Sequence, residues 1–339
     1  MKQEEIEALK ELLNTPRKIA ILGHKNPDGD ALGSTLALSI FLKKQGHNTQ
    51  VIVPNDFPDF LKWLPQADNV LVYEKDTEKT ETFLNDADLV FTLDFNSFSR
   101  VGNLEQVLQK LTTPYVMIDH HQQPDDYATY QYSDVTICST AQMVYHFIEF
   151  MGGINALDKD IATCIYTGIV TDTGSFRFSS TTSTTHNVAA SLINLGIDNA
   201  AIHQALFDNN STNRMQLLGV ALQNLVVLDE YKTAYITLSQ KELDKYNFQK
   251  GDTEGFVNYA LSIKNIVFAA IFIEHNAEKV IKISFRSIGT FSVNEFARNH
   301  FDGGGHNNAA GGKSNLSLKD TVSHFISKLQ YYKSQLSNA

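Results

Sequence analysis

The chain contains few cysteines, no long apolar run and no excess of positive charge. Cys138 and Cys164 are the only two cysteines among 339 residues, and both lie in apolar helical patterns, so we expect reduced core thiols rather than a disulfide. No stretch approaches the ~20 apolar residues that a membrane helix requires. The acidic start, residues 1–5, does not resemble a signal peptide, and these features together predict a cytoplasmic protein.

The formal net charge is −10, from 28 lysines and arginines against 38 aspartates and glutamates. Long nucleic acid is bound by a broad basic surface, which this balance excludes. An anionic substrate would therefore be held locally, by bound cations and a few well-placed basic side chains. We expect no membrane partner and no long duplex nucleic acid as a partner.

The order of apolar runs and helical patterns predicts an α/β fold with two domains. Buried strands are predicted at 18–22, 49–54, 70–73, 88–94 and 115–121. Their alternation with helices is typical of a doubly wound parallel sheet. From about Leu225 the pattern changes to a hairpin followed by further strands and helices, which predicts a smaller α+β domain. We assign 1–207 to the first domain, 208–225 to a linker and 226–339 to the second domain, with the active cleft between the domains.

Polar residues at the ends of the predicted strands are candidates for a metal site. They are His24, Asp28 and Asp30, then Asp94, then Asp119, His120 and His121, and Asp172 after a helix. Open α/β sheets place ligands at the carboxyl ends of their strands, so these side chains should meet at one edge. Mixed imidazole and carboxylate ligands suit manganese, iron or cobalt. The inventory exceeds the need of one ion and fits two ions ~3.5–4 Å apart, an arrangement suited to phosphoester hydrolysis.

Other interpretations of single residues stay open at this point. Asp94 or Asp172, taken alone, could cap a following helix. Neighbouring residues on a strand point to opposite faces, so at most one of His120 and His121 is expected to be a ligand. His47 follows a helix-ending glycine and is interpreted as part of a surface turn.

The combination of motifs resembles the DHH phosphoesterases. The matching segments are His24-Lys-Asn-Pro-Asp28-Gly-Asp30, Asp94, Asp119-His120-His121 and Thr171-Asp172-Thr173-Gly174, and Gly303-Gly-Gly-His306 resembles the signature of the DHH-associated C-terminal domain. The chain resembles the stand-alone bacterial branch of the family. This resemblance implies hydrolysis of short oligoribonucleotides to nucleoside 5′-monophosphates, and of 3′-phosphoadenosine 5′-phosphate (pAp) to AMP and phosphate.

The resemblance also implies a role for each motif residue. Two divalent ions, with manganese the expected metal, would be bound by His24, Asp28 and Asp94 and by Asp30, Asp94, His120 and Asp172, respectively. Asp119 and His121 would be catalytic, with Asp119 supporting His121 and His121 facing the substrate phosphate. Substrate would be bound by Arg286, Gly303, Gly304, Gly305 and His306. Ile288 and Asn307 stand where the family often has basic residues, which weakens the expected cationic pocket.

Several alternative functions are consistent with the same motifs. They are hydrolysis of the linear products of cyclic dinucleotides, hydrolysis of polyphosphate or pyrophosphate, single-strand DNA exonuclease activity, and RNA binding without catalysis. The acidic charge and the lack of room for an extra nucleic-acid-binding barrel argue against an exonuclease. The complete set of motif ligands argues against an inactive module. The oligomeric state stays open, with a homodimer as one alternative.

Overall fold

The computed structural model describes residues 1–338 and divides into two compact units, the second of which begins at Asn210. The first unit contains strands β1 (Lys18–Leu22), β2 (Asn48–Val53), β3 (Leu71–Val72), β4 (Leu89–Leu93), β5 (Tyr115–Asp119) and β6 (Tyr130–Ser133). Its helices are α1 (Gln3–Leu12), α2 (Gly29–Lys44), α3 (Thr77–Asn85), α4 (Glu105–Leu108), α5 (Thr140–Phe150), α6 (Lys159–Asp172), α7 (Ser183–Asn194) and α8 (Asn199–Phe207).

The six strands of the first unit form a parallel sheet in the order β3-β2-β1-β4-β5-β6. Both faces are covered, because alternate residues of β1, β2 and β4 belong to different apolar clusters. Ile19 and Ile21 of β1 pack in the larger cluster, which includes side chains of α2, α5 and α6. Ala20 and Leu22 pack on the opposite side. Strands that are buried on both faces appear in the sequence as continuous apolar runs. The parallel pairing and the two covered faces confirm the predicted doubly wound parallel sheet.

The second unit is a mixed α/β arrangement around its own sheet. Its strands are β7 (Val226–Leu228), β8 (Thr233–Leu238), β9 (Phe268–His275), β10 (Val280–Ser287), β11 (Gly304–Gly305) and β12 (Ala309–Ser314). Its helices are α9 (Thr212–Gln223), α10 (Gln240–Lys245), α11 (Phe256–Leu261), α12 (Val293–His300), α13 (Leu318–Leu329) and α14 (Lys333–Asn338). The strand order is β11-β12-β10-β9-β8-β7, and every neighbouring pair is antiparallel except β8 with β9.

Helix α9 lies within residues 208–225, which the sequence analysis assigns to a linker. Leu217, Leu218 and Ala221 of this helix are buried against β8 and α11, so the helix is part of the core of the second unit. The boundary between the units falls between Asn209 and Asn210, before the helix begins.

Two smaller expectations have opposite outcomes. Cys138 and Cys164 are buried and unpaired, as expected for core thiols. The prediction for His47 is wrong, because its side chain is buried and its Nδ1 accepts a hydrogen bond of 3.2 Å from the backbone N–H of Arg17. Within residues 1–338 no helix is both long and apolar enough to cross a membrane.

Candidate active site

The candidate site lies at the point where the strand order of the first sheet reverses. From β1 the chain continues to β2 on one side, and β4 pairs with β1 on the other side. The segments that follow β1 and β4 therefore diverge and leave a crevice, which is the usual ligand position of open α/β sheets. His24 follows β1 and Asp94 follows β4 directly. Asp94 has a φ of 64°, a left-handed backbone conformation that non-glycine residues rarely adopt and that is enriched at functional sites.

His24 is oriented by its own loop so that one ring nitrogen faces carboxylates. Its Nδ1 donates to the backbone carbonyl of Lys25 at 2.9 Å, because a carbonyl can only accept. The other nitrogen, Nε2, lies 3.3 Å from Oδ2 of Asp94 and 3.9 Å from Oδ1 of Asp28. Hydrogen bonding of the second ring nitrogen to a carbonyl is the arrangement that orients metal-bound histidines.

His120 repeats this arrangement on the other side of Asp94. Its Nδ1 donates to the backbone carbonyl of Ile137 at 3.1 Å. Its Nε2 lies 3.5 Å from Oδ1 of Asp94, 3.5 Å from Oδ2 of Asp172 and 3.8 Å from Oδ2 of Asp30. The two oxygens of Asp94 therefore face different histidines: Oδ2 faces His24 and Oδ1 faces His120.

A neutral Nε2 lone pair that faces carboxylate oxygens requires a cation between them, either a proton or a metal ion. Without metal the site recruits protons, because burial and repulsion among its carboxylates both disfavour the ionised acids. Burial disfavours a charged His24, yet the hydrogen bond to Asp94 raises its pKa to about 9. Burial raises the pKa of Asp172 to about 7, and burial together with the charges of Asp94 and Asp172 raises the pKa of Asp30. The donor set fits divalent cations, which would neutralise these acids.

Asp28 also acts as the N-cap of α2. Its Oδ1 accepts the backbone N–H groups of Asp30 and Ala31, both at 3.0 Å, and so caps α2. Capping fixes the carboxylate beside His24. A cap and a metal ligand are therefore compatible in this residue, because a carboxylate offers several lone pairs.

His121 is held by Asp119 rather than pointing away from the site. The fully buried Asp119 accepts the ring N–H at Nδ1 of His121 at 2.7 Å and the backbone N–H of the same residue at 2.9 Å. His121 Nδ1 also lies 3.7 Å from Oδ1 of Asp94, close to the contact of His120. The expectation that strand alternation separates the two histidines is wrong, because β5 ends at Asp119 and neither histidine belongs to the strand.

Close packing of α2 against α6 brings Asp30 and Asp172 together. A Cβ on Gly168 of α6 would lie 2.7 Å from Oδ1 of Asp30, and a Cβ on Gly29 would meet the side chain of Thr171 at 2.5 Å. Only glycine leaves room for the two helices at these positions. Gly29 is therefore required by the packing of α2 against α6. Gly168 also contributes to the site, and the sequence analysis does not identify it.

The first turn of α5 supplies three further contacts that sequence reasoning missed. Both oxygens of Asp30 accept backbone N–H groups, from Thr140 at 2.7 Å and from Ala141 at 2.8 Å. The hydroxyl of Thr140 lies 3.0 Å from Oδ1 of Asp94. The local pattern at Ser139 and Thr140 indicates only a helix start, and nothing in it points to acids far away in the sequence.

In the second unit, Arg286 and His306 are linked through the backbone of Ala309. Arg286 of β10 is paired with Ala309 of β12, and the backbone of Ala309 in turn exchanges hydrogen bonds with His306. Residues in one row of an antiparallel sheet point to the same face. On β10 the neighbouring Phe285 faces the opposite, buried side. The structure thus brings the backbone of His306 next to the strand position paired with Arg286, and a shared role of the two side chains in substrate binding stays a prediction.

The glycines before His306 are required by the sheet itself. A Cβ on Gly303 would collide with the carbonyl oxygen of Gly311, and one on Gly305 would lie 2.5 Å from that of Ala309. The backbone N–H of Gly305 donates to Oδ1 of the buried Asn294 at 3.1 Å, so this group is already satisfied within the unit. The role of Gly303, Gly304 and Gly305 in substrate binding stays a prediction.

Comparison with known proteins identifies both units. Residues 18–169 match the DHH family, N-terminal domain, and residues 230–332 match the DHHA1 domain. A probable bifunctional oligoribonuclease and PAP phosphatase, NrnA, of Streptococcus mutans is 30% identical over 296 residues, which cover 87% of this chain and 89% of that protein. The bifunctional oligoribonuclease and PAP phosphatase NrnA of Thermus thermophilus is 31% identical over 293 residues, 86% of this chain and 83% of that protein. The crystal structure of an exopolyphosphatase-related protein from Bacteroides fragilis has a TM-score of 0.95 and 38% identity, and covers 99% of this chain and 98% of that chain.

Proposed function

The chain belongs to the DHH family of phosphoesterases, and from this premise we propose that it hydrolyses short oligoribonucleotides to nucleoside 5′-monophosphates and pAp to AMP and phosphate. Two relatives that align with most of the chain carry the names oligoribonuclease and PAP phosphatase. Both reactions break a phosphoester bond to the 3′-oxygen of a nucleotide. One site can therefore perform both, with water as the second reactant in each.

The observation that carries the proposal is the division of the Asp94 carboxylate between two histidines. One oxygen lies 3.3 Å from Nε2 of His24 and the other lies 3.5 Å from Nε2 of His120. An acid placed in this way can bridge two cations. The distances support a site for two cations, because a single ion does not need ligands on both sides of a shared carboxylate.

We assign one divalent ion to His24, Asp28 and Asp94. We assign the second ion to Asp30, Asp94, His120 and Asp172. Manganese is the metal we propose, because imidazole and carboxylate together suit it better than magnesium. When bound, such ions lower the pKa of coordinated water and stabilise charge on phosphoryl oxygens.

We assign to His121 and Asp119 the donation of a hydrogen bond to the substrate's phosphoryl oxygens. The bond from Nδ1 of His121 to Asp119 fixes the tautomer, so that Nε2 accepts a hydrogen bond in the neutral ring and donates one in the protonated ring. A protonated His121 can thus donate from Nε2 to a phosphoryl oxygen and stabilise developing charge. Asp119 in turn stabilises the charged ring and holds its plane.

Recognition of the 5′-phosphate of the substrate is assigned to Arg286 and His306. The planar guanidinium group matches the geometry of phosphate oxygens. The backbone of His306 is hydrogen-bonded to Ala309, the residue paired with Arg286, so we assign both side chains to one anionic group. Ile288 and Asn307 provide no charge nearby, which leaves recognition dependent on Arg286.

The test is a substrate panel with protein freed of metal by a chelator and then supplied with manganese. The substrates are pAp, a 5′-phosphorylated dinucleotide, the linear product of a cyclic dinucleotide, and polyphosphate. We expect manganese-dependent release of phosphate from pAp and of nucleoside 5′-monophosphates from the dinucleotides. Asp94→Asn should abolish both activities, and Asp68→Asn, which removes an exposed carboxylate of the same unit, should not. Preferential hydrolysis of polyphosphate, or no turnover with metal bound, would overturn the proposal.

A further inference from the structure

Thr140 touches two acids of the candidate centre that come from different parts of the chain. It is the first residue of α5, it follows the N-cap Ser139, and its side chain is fully buried. Its backbone N–H donates to Oδ2 of Asp30 at 2.7 Å. Its hydroxyl lies 3.0 Å from Oδ1 of Asp94. Asp30 is in α2 and Asp94 follows β4, so Thr140 connects acids from the two sides of the switch point.

The direction of the hydroxyl contact follows from chemistry. An ionised carboxylate can only accept, so Oγ1 of Thr140 must donate its proton to Asp94. Hydrogen bonds to a charged acceptor are stronger than neutral ones, and the buried position excludes competing water. Asp94 adopts a left-handed backbone conformation, so its carboxylate is not oriented by regular strand geometry. The hydroxyl of Thr140 supplies an orientation instead.

Orientation matters because the two oxygens of Asp94 serve different partners. Oδ1, which receives the Thr140 proton, lies 3.5 Å from His120, and Oδ2 lies 3.3 Å from His24. Rotation of the carboxylate about its last side-chain bond would take both oxygens out of these positions. Asp30 is fixed in a comparable way, since each of its oxygens accepts one N–H of the α5 first turn.

We propose that Thr140 is a positioning residue of the metal centre, whose hydroxyl orients the shared carboxylate of Asp94 for two cations. Thr140 contacts no reacting atom and acts through Asp94. The inference rests on the proposed function, because it assumes that Asp94 binds metal. Groups that orient metal ligands typically contribute 10- to 100-fold to metal affinity or activity, roughly the effect expected here.

The alternative is that the Thr140 hydroxyl only stabilises the fold. Thr140→Val removes the hydroxyl and keeps the size and the backbone N–H, whereas Thr140→Ser keeps a hydroxyl. Thr80→Val is a matched control, because Thr80 is also fully buried in the first unit and its hydroxyl has no hydrogen-bond partner among residues 1–338. Thr140→Ala is a second variant that loses the hydroxyl without requiring space for a methyl group in the same position.

The experiment measures binding of manganese to the full, metal-free chain by calorimetry, with free manganese counted by electron paramagnetic resonance. Thermal unfolding without metal is recorded in parallel for each variant. We expect Thr140→Val and Thr140→Ala to bind manganese roughly 10- to 100-fold more weakly than the wild type, with Thr140→Ser within about threefold. Thr80→Val should bind as the wild type does. The kcat at saturating manganese should recover in part for Thr140→Val.

Three results would overturn the inference in distinguishable ways. If the wild type binds two ions and Thr140→Val and Thr140→Ala bind them with unchanged affinity, Thr140 has no positioning role although the metal centre stands. If the wild type binds no divalent ion at all, the metal centre itself is wrong and the inference fails with it. Loss of affinity in Thr140→Ser as large as in Thr140→Val would also contradict a role of the hydroxyl.

Discussion

His121 donates a hydrogen bond of 2.7 Å from Nδ1 to Oδ1 of Asp119, and Oδ2 of the same carboxylate accepts the backbone N–H of His121 at 2.9 Å. The buried Asp119 thus fixes both the backbone and the ring of His121, two positions later in the chain. The ring contact determines the tautomer, since the ring proton must lie on the nitrogen that faces the carboxylate. Whatever His121 does, it does through Nε2.

Asp119→Asn should therefore impair turnover without removing metal. An amide can accept at one oxygen only, so either the ring contact or the backbone contact of His121 is lost. Loss of such an orienting partner typically costs 10- to 100-fold in activity, and we expect roughly this fall in kcat. The checks are kcat on pAp and the metal content of the purified variant. A fall in metal content equal to the fall in kcat would show that Asp119 acts on the metals instead.

The two adjacent histidines should give opposite phenotypes. His120→Ala removes an Nε2 that faces Asp30, Asp94 and Asp172, so we expect weaker metal binding. His121→Ala leaves that set intact, so we expect two bound ions and loss of most turnover. Each variant is the control for the other when metal content and kcat are measured side by side. Retention of both metals in His120→Ala together with metal loss in His121→Ala would invert the assignment.

The parallel sheet could be predicted because its strands are buried on both faces. The range of β1, Lys18–Leu22, is the one that its apolar run predicts. The apolar pattern does not predict β6, because the sequence Tyr130-Gln-Tyr-Ser133 is short, polar and only partly buried, as suits the edge of a sheet. A strand of this kind is defined by its neighbour β5 and not by its own pattern.

The site could be predicted as a set of residues but not as a geometry. His24, Asp94 and His120 converge because the carboxyl ends of parallel strands share one edge, which the pattern of strands already implies. The contact of Asp30 with Thr140 spans 110 positions of the sequence, and no local pattern encodes it. The placement of His121 depends on the end of β5 at Asp119, and ends of elements are poorly defined by sequence.

Metal binding should stabilise the folded first unit. Manganese that binds only the folded state adds about 2.7 kcal/mol to the free energy of unfolding at a free concentration 100-fold above its dissociation constant. Urea unfolding with chelator and with manganese measures this difference. Asp94→Asn should lose most of the stabilisation, and the exposed Asp68→Asn should keep it. An equal effect of manganese on both variants would mean that the ion binds elsewhere.

The metal-free protein should lose stability as the pH rises from about 4 to about 9. Burial raises the pKa of Asp172 from 3.8 to about 7, so the folded state keeps a proton that the unfolded state has released. Burial opposes charge on His24, but the hydrogen bond to Asp94 raises its pKa from 6.5 to about 9, with the same consequence at higher pH. Stability falls with rising pH wherever the folded state holds more protons than the unfolded state.

Bound manganese should remove most of this dependence, because the ions replace the protons. Urea midpoints at about pH 5, 7 and 9, with chelator and with manganese, compare the two forms. A metal-free midpoint that rises across this range would contradict the charge arrangement of the site.

The last prediction concerns the polarity of substrate recognition. pAp and a 5′-phosphorylated dinucleotide share a 5′-phosphate, a nucleoside and a phosphate on the 3′-oxygen. If Arg286 holds the 5′-phosphate, Arg286→Ala should lower kcat/KM on both substrates. A charge-assisted contact contributes about 1.5–3 kcal/mol, which corresponds to roughly 10- to 150-fold.

A model diester that lacks a 5′-phosphate, such as bis-p-nitrophenyl phosphate, should be much less affected by Arg286→Ala, and long RNA should be a poor substrate of the wild type. Lys282→Ala is the matched control, because Lys282 is a cation four residues earlier on β10 and points to the same face as Arg286. Arg286→Lys should recover only part of the rate, since a lysine cannot form the planar two-point contact. The measurement is kcat/KM for pAp and for 5′-phosphorylated and 5′-hydroxyl dinucleotides. Equal rates of the wild type on the two dinucleotides would rule out this polarity, because the contact that Arg286 is proposed to make would then contribute nothing to catalysis.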